Sequence, residues 1–234
     1  MSLLNNTNNF QIDSQTGIWV IGDVHGEYNK LIQLVEKIPS NAKICFVGDL
    51  IDRGKDSSKV VEYVMSNEHK CTLGNHEIMM IKAGDDENNN LRWQRYGGRQ
   101  TLQSYQYFND ETWFKHIDFF KSLPYFLYFE IDGHKPLVVS HSYIHHVWQG
   151  KEHNFTEKDG KDILWRHMYE KDLFNTHREY QNDIFNIFGH SPVKEPVITS
   201  TYVMIDTGAV YENEEGFGKL SAIHYPSLKV VSIK

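Results

Sequence analysis

The sequence predicts an α/β protein with a parallel sheet at its core, and three observations carry that prediction. Short apolar runs at 17–21 (GIWVI), 43–47 (KICFV) and 71–73 (CTL) each stop at a glycine followed by Asp or Asn, as buried strands do where they run into loops. Apolar residues at helical spacing fill the intervals between the runs. The residues that end the runs, Asp23, Asp49 and Asn75, are 26 positions apart and then 26 again. Successive strand–loop–helix units give that interval when all their loops open on one face.

After a polar lead-in and the first strand, Leu31, Leu34, Val35 and Ile38 mark a helical face that Pro39 ends. The second strand and the loop 48–56 lead to another helical face at Val60, Val61, Val64 and Met65. The third strand is followed by Gly74-Asn75 and a helix over 76–81. The stretch 84–90 (GDDENNN) reads as an exposed turn, and 91–108 and 111–123 as helices, the first broken at Gly97-Gly98. Strand signals then dominate, at 125–131, 137–140, 184–188, 202–205, 219–225 and 228–233. The last two flank Pro226-Ser227 as a closing hairpin. Together these later segments suggest a second, mostly antiparallel sheet packed on the first. No stretch is rich enough in Pro, Gly or Ser to divide the chain, so residues 1–234 read as one domain.

Composition bounds the function. With 40% apolar, 13% aromatic and 24% charged residues in 234, the chain is neither disordered nor a disulfide-stapled miniature. A net charge of −7 supplies no bulk positive field for nucleic acid. The apolar runs fall far short of the roughly 20 residues that span a bilayer, so no membrane partner is expected. The first ten residues have neither a basic segment nor a sustained apolar one, and do not read as a signal peptide. Cys45 and Cys71 each lie inside an apolar run, which fits buried thiols in a reducing, cytoplasmic setting.

The chemistry sits at the strand ends. Residues two apart in an extended segment point to the same side, so Asp23 and His25 can grip one cation. The second loop offers Asp49, Asp52 and Arg53, and the third Asn75, His76 and Glu77. His141 and His190 each follow a further apolar strand. Taken singly, each is an ordinary turn or surface residue; a single dinuclear metal centre accounts for all of them at once. Carboxylate, carboxamide and imidazole donors suit Mn, Fe or Zn rather than a thiolate site. His145 and His146 read as solvent-facing rim, and His69, His116, His134, His153, His167 and His177 as surface.

The motifs GDVHG, GDLIDRG and GNHE, with SHS and FGHSP behind them, resemble those of PPP-type serine/threonine phosphatases in the calcineurin-like metallophosphoesterase superfamily. The size is similar to that of the small bacterial and bacteriophage branch. The resemblance runs from Gly22 to about Leu220 and includes IDTGAVY and GKLSAI near its end. It implies a β-sandwich of two mixed sheets flanked by helices, with a dinuclear site at the strand carboxyl ends. Asp23, His25 and Asp49 would hold one ion, and Asp49, Asn75, His141 and His190 the other. Manganese is the first choice, with iron or zinc as alternatives. His76 would be the general acid, oriented by Asp52, and Arg53 would bind phosphoryl oxygens. Glu77 would do no more than favour the helix dipole.

The implied activity is hydrolysis of phosphoserine or phosphothreonine in proteins, with phosphotyrosine left open, by direct attack of a metal-bridging hydroxide. The partner would then be a phosphorylated protein or peptide. A dinucleoside polyphosphate hydrolase, of the diadenosine tetraphosphate type, is the alternative on nearly the same loops. Asp52 favours the phosphatase, since symmetrical hydrolases of that kind commonly lack it. The second phosphate-binding arginine of the branch is matched by Arg166, after Trp165, with Arg95 and Arg99 as rivals. Trp93 and Tyr96 could line the wall of the site. The acidic stretch 212–217 (ENEEGF) is expected near the groove, where it would repel acidic flanks of a phosphosite.

Overall fold

The computed structural model describes residues 9–148, 156–168 and 183–234. In chain order, its elements begin with strands β1 (Asn9–Ile12) and β2 (Ile18–Ile21), helix α1 (Tyr28–Val35), strand β3 (Ile44–Phe46) and helix α2 (Ser57–Ser66). Strand β4 (Lys70–Cys71), helices α3 (Asn75–Ala83) and α4 (Glu87–Trp93), a π-helical turn (Gln94–Gly98), and helices α5 (Arg99–Ser104) and α6 (Asp110–Ser122) follow. The remainder is β5 (Phe126–Ile131), β6 (Leu137–Ser140), α7 (Glu157–Trp165), β7 (Phe185–Phe188), β8 (Val197–Ile198), β9 (Tyr202–Met204), β10 (Leu220–Tyr225) and β11 (Lys229–Ile233).

The strands form two mixed sheets, ordered β11-β10-β2-β3-β4 and β1-β5-β6-β7-β9-β8. In the first, β2, β3 and β4 run parallel, as their spacing predicts. The two sheets face each other across one apolar layer, in which Ile18, Val20, Cys45 and Val47 meet Phe129, Val139, Ile187 and Val203. The alternate residues Trp19, Ile21, Ile44 and Phe46 face the other way, into a core with Leu31, Leu34, Val60, Val61 and Val64 of α1 and α2. Strands buried on both faces read as continuous apolar runs, which is why they stand out in the sequence. Phe126, Tyr128 and Val138 on the outer face of the second sheet are covered by Trp148 and Ile163. Cys45 and Cys71 are free and buried, and burial pushes both thiols up.

Four expectations change. The closing hairpin β10–β11 joins the first sheet through an antiparallel β10–β2 pair, instead of entering the second. The second sheet is mixed, as the resemblance implies, rather than mostly antiparallel, because β1–β5, β6–β7 and β7–β9 are parallel. The lead-in forms a strand, β1, held by that long-range pairing and by Phe10 stacked on Phe129 at 5.3 Å. The stretch read as a turn contains the start of α4, because the Asp86 carboxylate caps it by accepting from the Asn89 N–H at 2.8 Å. Among the described residues, no helix is long and apolar enough to cross a membrane.

Candidate active site

The carboxyl ends of β2, β3, β6 and β7, together with the start of α3, bring the predicted residues to one place. Among the described residues, two groups of metal-ligating side chains gather their donor atoms within 4.8 Å: His25, Asp49 and His76, and Asp49, His141 and His190. Asp49 is common to both. Its Oδ2 lies 3.7 Å from His25 Nε2, 3.9 Å from His76 Nε2 and 3.4 Å from His141 Nε2. Asn75 Oδ1 is 2.7 Å from His141 Nε2 and 3.0 Å from His190 Nδ1. Asp23 is buried on the same face, where its carboxylate accepts from the His190 backbone N–H at 3.1–3.2 Å. Gly189 makes that approach possible, since a Cβ there would lie 1.9 Å from Asp23 Oδ1.

The backbone is bent hard to do this. His25, Asp49, Asp52, Arg53 and His190 all have positive φ, from 46° to 75°. Such left-handed backbone in non-glycine residues persists only where the surroundings over-determine it, and it clusters at functional sites. For Arg53 the surroundings are explicit. Its N–H donates to the Gly97 carbonyl at 3.1 Å, and Gly97, itself at φ +116°, leaves no room for a side chain against it. The Gly97-Gly98 break is therefore a seat for the second loop.

The donor set fits divalent cations. His25 Nδ1 is 2.8 Å from the Ile51 carbonyl and His141 Nδ1 is 3.0 Å from that of Val47. A ring N–H given to a backbone carbonyl fixes the tautomer and turns the lone pair of Nε2 inward, as metal-ligating histidines do. The His141 lone pair faces oxygens of Asn75 and Asp49 that are themselves acceptors, whereas that of His25 accepts from Arg53 Nη1 at 2.6 Å. Burial, with the nearby Arg53 guanidinium for His25, holds both imidazoles below their ordinary range and so neutral. Burial and His141 push His190 down to about 2, and among the described residues its buried Nε2 has no hydrogen-bond partner. Burial opposes the charge of Asp49, yet His141, His76 and His25 hold its carboxyl well below the usual range. Asp23 is raised by burial, then by Asp206 and Asp49. Carboxylates and neutral imidazoles crowded this closely are complementary to cations.

Beside the cage stands a second, fully bonded unit. His76 Nδ1 is 2.6 Å from Asp52 Oδ2. Trp93 Nε1 donates to both oxygens of Asp52 at 2.9–3.0 Å, and the Thr101 hydroxyl donates to Oδ1 at 2.6 Å. The Asp52 N–H in turn donates to the Ser57 and Thr101 hydroxyls. Arg53 reaches across the face of the site, with Nη1 2.6 Å from His25 Nε2, Nη2 3.0 Å from His76 Nε2, and its guanidinium 5.8 Å from the Tyr211 ring centre.

Several residues do more, or less, than the sequence suggests. Glu77 is not a dipole ornament. It is buried, and its carboxylate accepts from the N–H groups of Asp49, Leu50 and Gly74 at 2.8–2.9 Å, buckling the second loop to the third. Burial and Asp49 push its acid up to about 8. Trp93 is core, as helical spacing implies, but it is also a hydrogen-bond donor to Asp52. Asp206, in IDTGAVY, is a buried carboxyl beside Asp23 that sequence reading passed over; burial raises it to about 6, against the pull of the Gly208 N–H and Arg53. Arg166 is exposed where α7 ends, and it is its neighbour His167 that meets the cage, stacked on His190 at 4.4 Å. Arg95 and Arg99 are exposed.

The acidic stretch is tied down at one end. Glu212 pairs at 2.8 Å with Lys30, whose ammonium also donates to the Ala209 and Gly218 carbonyls. His116 is buried between Tyr105 and Glu62, and His145 is buried against the Thr201 carbonyl, instead of lying at the surface. His153 and His177 lie outside the described residues.

A model of the calcineurin-like phosphoesterase family matches residues 16–219. A bis(5'-nucleosyl)-tetraphosphatase PrpE [asymmetrical] of Anoxybacillus flavithermus is 29% identical over 240 residues, covering 92% of each chain. Among solved structures, a candidate diadenosine tetraphosphatase superimposes with a TM-score of 0.66 at 19% identity over 97% of each chain. A serine/threonine phosphatase of Saccharomyces cerevisiae gives 0.62 at 15% identity, covering 99% of this chain and 84% of its own. Likeness at those identities speaks for the fold alone.

These likenesses overturn the expected phosphoprotein phosphatase, and with it the phosphorylated protein or peptide as partner. The relative matched along nearly the whole chain carries the name of a nucleoside tetraphosphatase. The error has a physical source. Phosphomonoesters and phosphoanhydrides present the same oxygens to the same ions and arginine, so the motif loops do not separate the two substrate classes. Asp52 argued only against symmetrical hydrolases, and the relative is an asymmetrical one.

Proposed function

We propose, from the premise that this chain belongs to the calcineurin-like phosphoesterase family, that it is a metal-dependent hydrolase of dinucleoside polyphosphates, cutting a phosphoanhydride bond asymmetrically. The observation that carries this is the match over 92% of both chains to the asymmetrical bis(5'-nucleosyl)-tetraphosphatase of A. flavithermus. On this reading Asp23, His25 and Asp49 hold one divalent cation, and Asp49, Asn75, His141 and His190 a second. Manganese is the first choice, and the setting is the cytoplasm, where two free buried thiols are at home. When bound, two such ions supply positive charge against phosphoryl oxygens and make water acidic enough to serve as nucleophile at neutral pH.

The chain's own residues do the rest. Arg53 offers a planar fork of N–H donors to the phosphoryl group, exchanging its contacts with two imidazoles for contacts with anionic oxygens. His76 passes a proton from Nε2 to the departing oxygen. Asp52, held by Trp93 and Thr101, keeps the His76 ring in place through Nδ1. A departing polyphosphate is a weaker base than an alkoxide and asks less of that proton. Arg166, at the end of α7, meets outer phosphates. The chain acts throughout as one domain over 1–234.

The test is to strip the protein of metal, restore manganese, and supply diadenosine tetraphosphate. AMP and ATP in equal amounts are expected. ADP as the product would overturn the asymmetrical cut. Turnover of a phosphoserine peptide with none of diadenosine tetraphosphate would overturn the whole reading.

A further inference from the structure

A cavity of about 340 Å³ lies between α3, α4 and α7. Ile78 and Met79 give it apolar lining, and Lys82, Arg92, Lys161 and Trp165 surround them. Three cationic side chains surround one opening in a protein of net charge −7, and among the described residues no carboxylate lines it. Trp165 keeps 37% of its surface exposed, with the Arg92 guanidinium 5.9 Å from its ring centre. A half-exposed indole beside several cations is what a flat base carrying phosphates requires, since the ring stacks on the base and the cations take the anionic oxygens.

Two of the segments that line the cavity also lead to the site. Helix α3 carries His76 at its start and Lys82 six residues on, a rise of about 9 Å at ~1.5 Å per residue. At the end of α7, Trp165 is two residues before His167, whose ring stacks on His190. The rise from His76 to Lys82 is within the span of a tetraphosphate chain.

We propose that this cavity is the subsite for the distal nucleotide half of the substrate. The base lies against Trp165, and Lys82, Arg92 and Lys161 bind the outer phosphates. The proposal rests on the dinucleoside polyphosphate reading above. It makes this pocket, rather than the motif loops, the part of the chain that selects a nucleotide over a phosphopeptide.

The experiment compares kcat/KM for diadenosine tetraphosphate with kcat/KM for 4-nitrophenyl phosphate, in the full-length manganese-loaded protein and its variants. Trp165→Ala is expected to lower the ratio of the two about tenfold, through KM, as loss of a base-stacking ring does. Trp165→Phe should recover most of that loss, and Lys82→Glu with Arg92→Glu should lower the ratio further. If Trp165→Ala fails to fold, the charge variants on the exposed ends of α3 and α4 decide the matter. An unchanged ratio, or equal losses on both substrates, would overturn the subsite while leaving the activity standing. Wild-type protein that hydrolyses only 4-nitrophenyl phosphate would overturn the activity, and the subsite with it.

Discussion

The two halves of the site are finished to different degrees. Around Asp52, donors and acceptors match: Trp93, Thr101 and His76 surround the carboxylate, and Ser57 and Thr101 accept from its backbone N–H. Around Asp49 and Asn75, imidazole lone pairs and oxygens converge with few protons between them. The first half is completed by the chain itself. The second is a shape and charge that the described residues leave only partly compensated. On the proposed reading the proton donor, His76, is therefore preorganised by folding, whereas the cage is complementary to cations.

The sharpest way to break that contrast is Asp49→Ala, which removes the carboxylate shared by both groups. Turnover of diadenosine tetraphosphate should fall by roughly 10³-fold or more, since losing a single electrostatic contact in a catalytic site already costs ~10²–10³. A residual rate near wild type would show that the cage is not the reactive centre.

Next in size is His76→Asn, which deletes the proton donor from the finished half. A loss of ~10²–10⁴-fold is expected on alkyl phosphates and a smaller one on aryl phosphates, whose leaving groups need less protonation. Equal losses on both would remove the acid role from His76.

Trp93→Phe is a finer probe, because it keeps the ring and removes one N–H from Asp52. Leaving a buried charged acceptor short of a donor costs about 1–3 kcal/mol. A drop in kcat of about tenfold is expected, with a steeper dependence on leaving group than in the wild type. Thr101→Ser, which retains the hydroxyl, should stay close to wild type. An unaltered leaving-group dependence in Trp93→Phe would mean that Asp52 is held without it.

The smallest effect on chemistry is expected from Glu77→Gln, on the cage side. Its amide cannot accept from three backbone N–H groups as the carboxylate does. Thermal unfolding should come about 2–8 °C earlier, following about 1–2 kcal/mol at ~2–4 °C each for a chain of this size. A Tm equal to that of the wild type would show that the second and third loops hold together without the buckle.

The same contrast explains what the sequence could reveal. The cage residues are legible because they follow apolar strands, and equal spacing puts the first three loops on one face. The supports of the finished half are not. Trp93 sits at helical spacing like any core aromatic, and Thr101 follows the Gly97-Gly98 break, which reads as an interruption and not as the seat of Arg53. Glu77 lies in a first helical turn, where a carboxylate has an ordinary explanation; only its three loop contacts give it another. The parallel strands were visible because both their faces are buried. Strand β1 was hidden, because its pairing partner β5 lies more than a hundred residues away and no local pattern records that. Substrate class was legible least of all, since the loops that carry the motifs serve esters and anhydrides alike.

The most direct measurement of the central claim is the number of manganese ions bound per metal-stripped chain, followed by calorimetric titration with the unfolding temperature recorded alongside. Two ions for the wild type, with the chain already folded before the first addition and more stable after the second, is the result expected. In His190→Ala one of the two should be lost, while the Asp52–His76 unit remains intact. A wild-type chain that binds no manganese, or one whose stripped form cleaves diadenosine tetraphosphate at the full rate, would contradict the account.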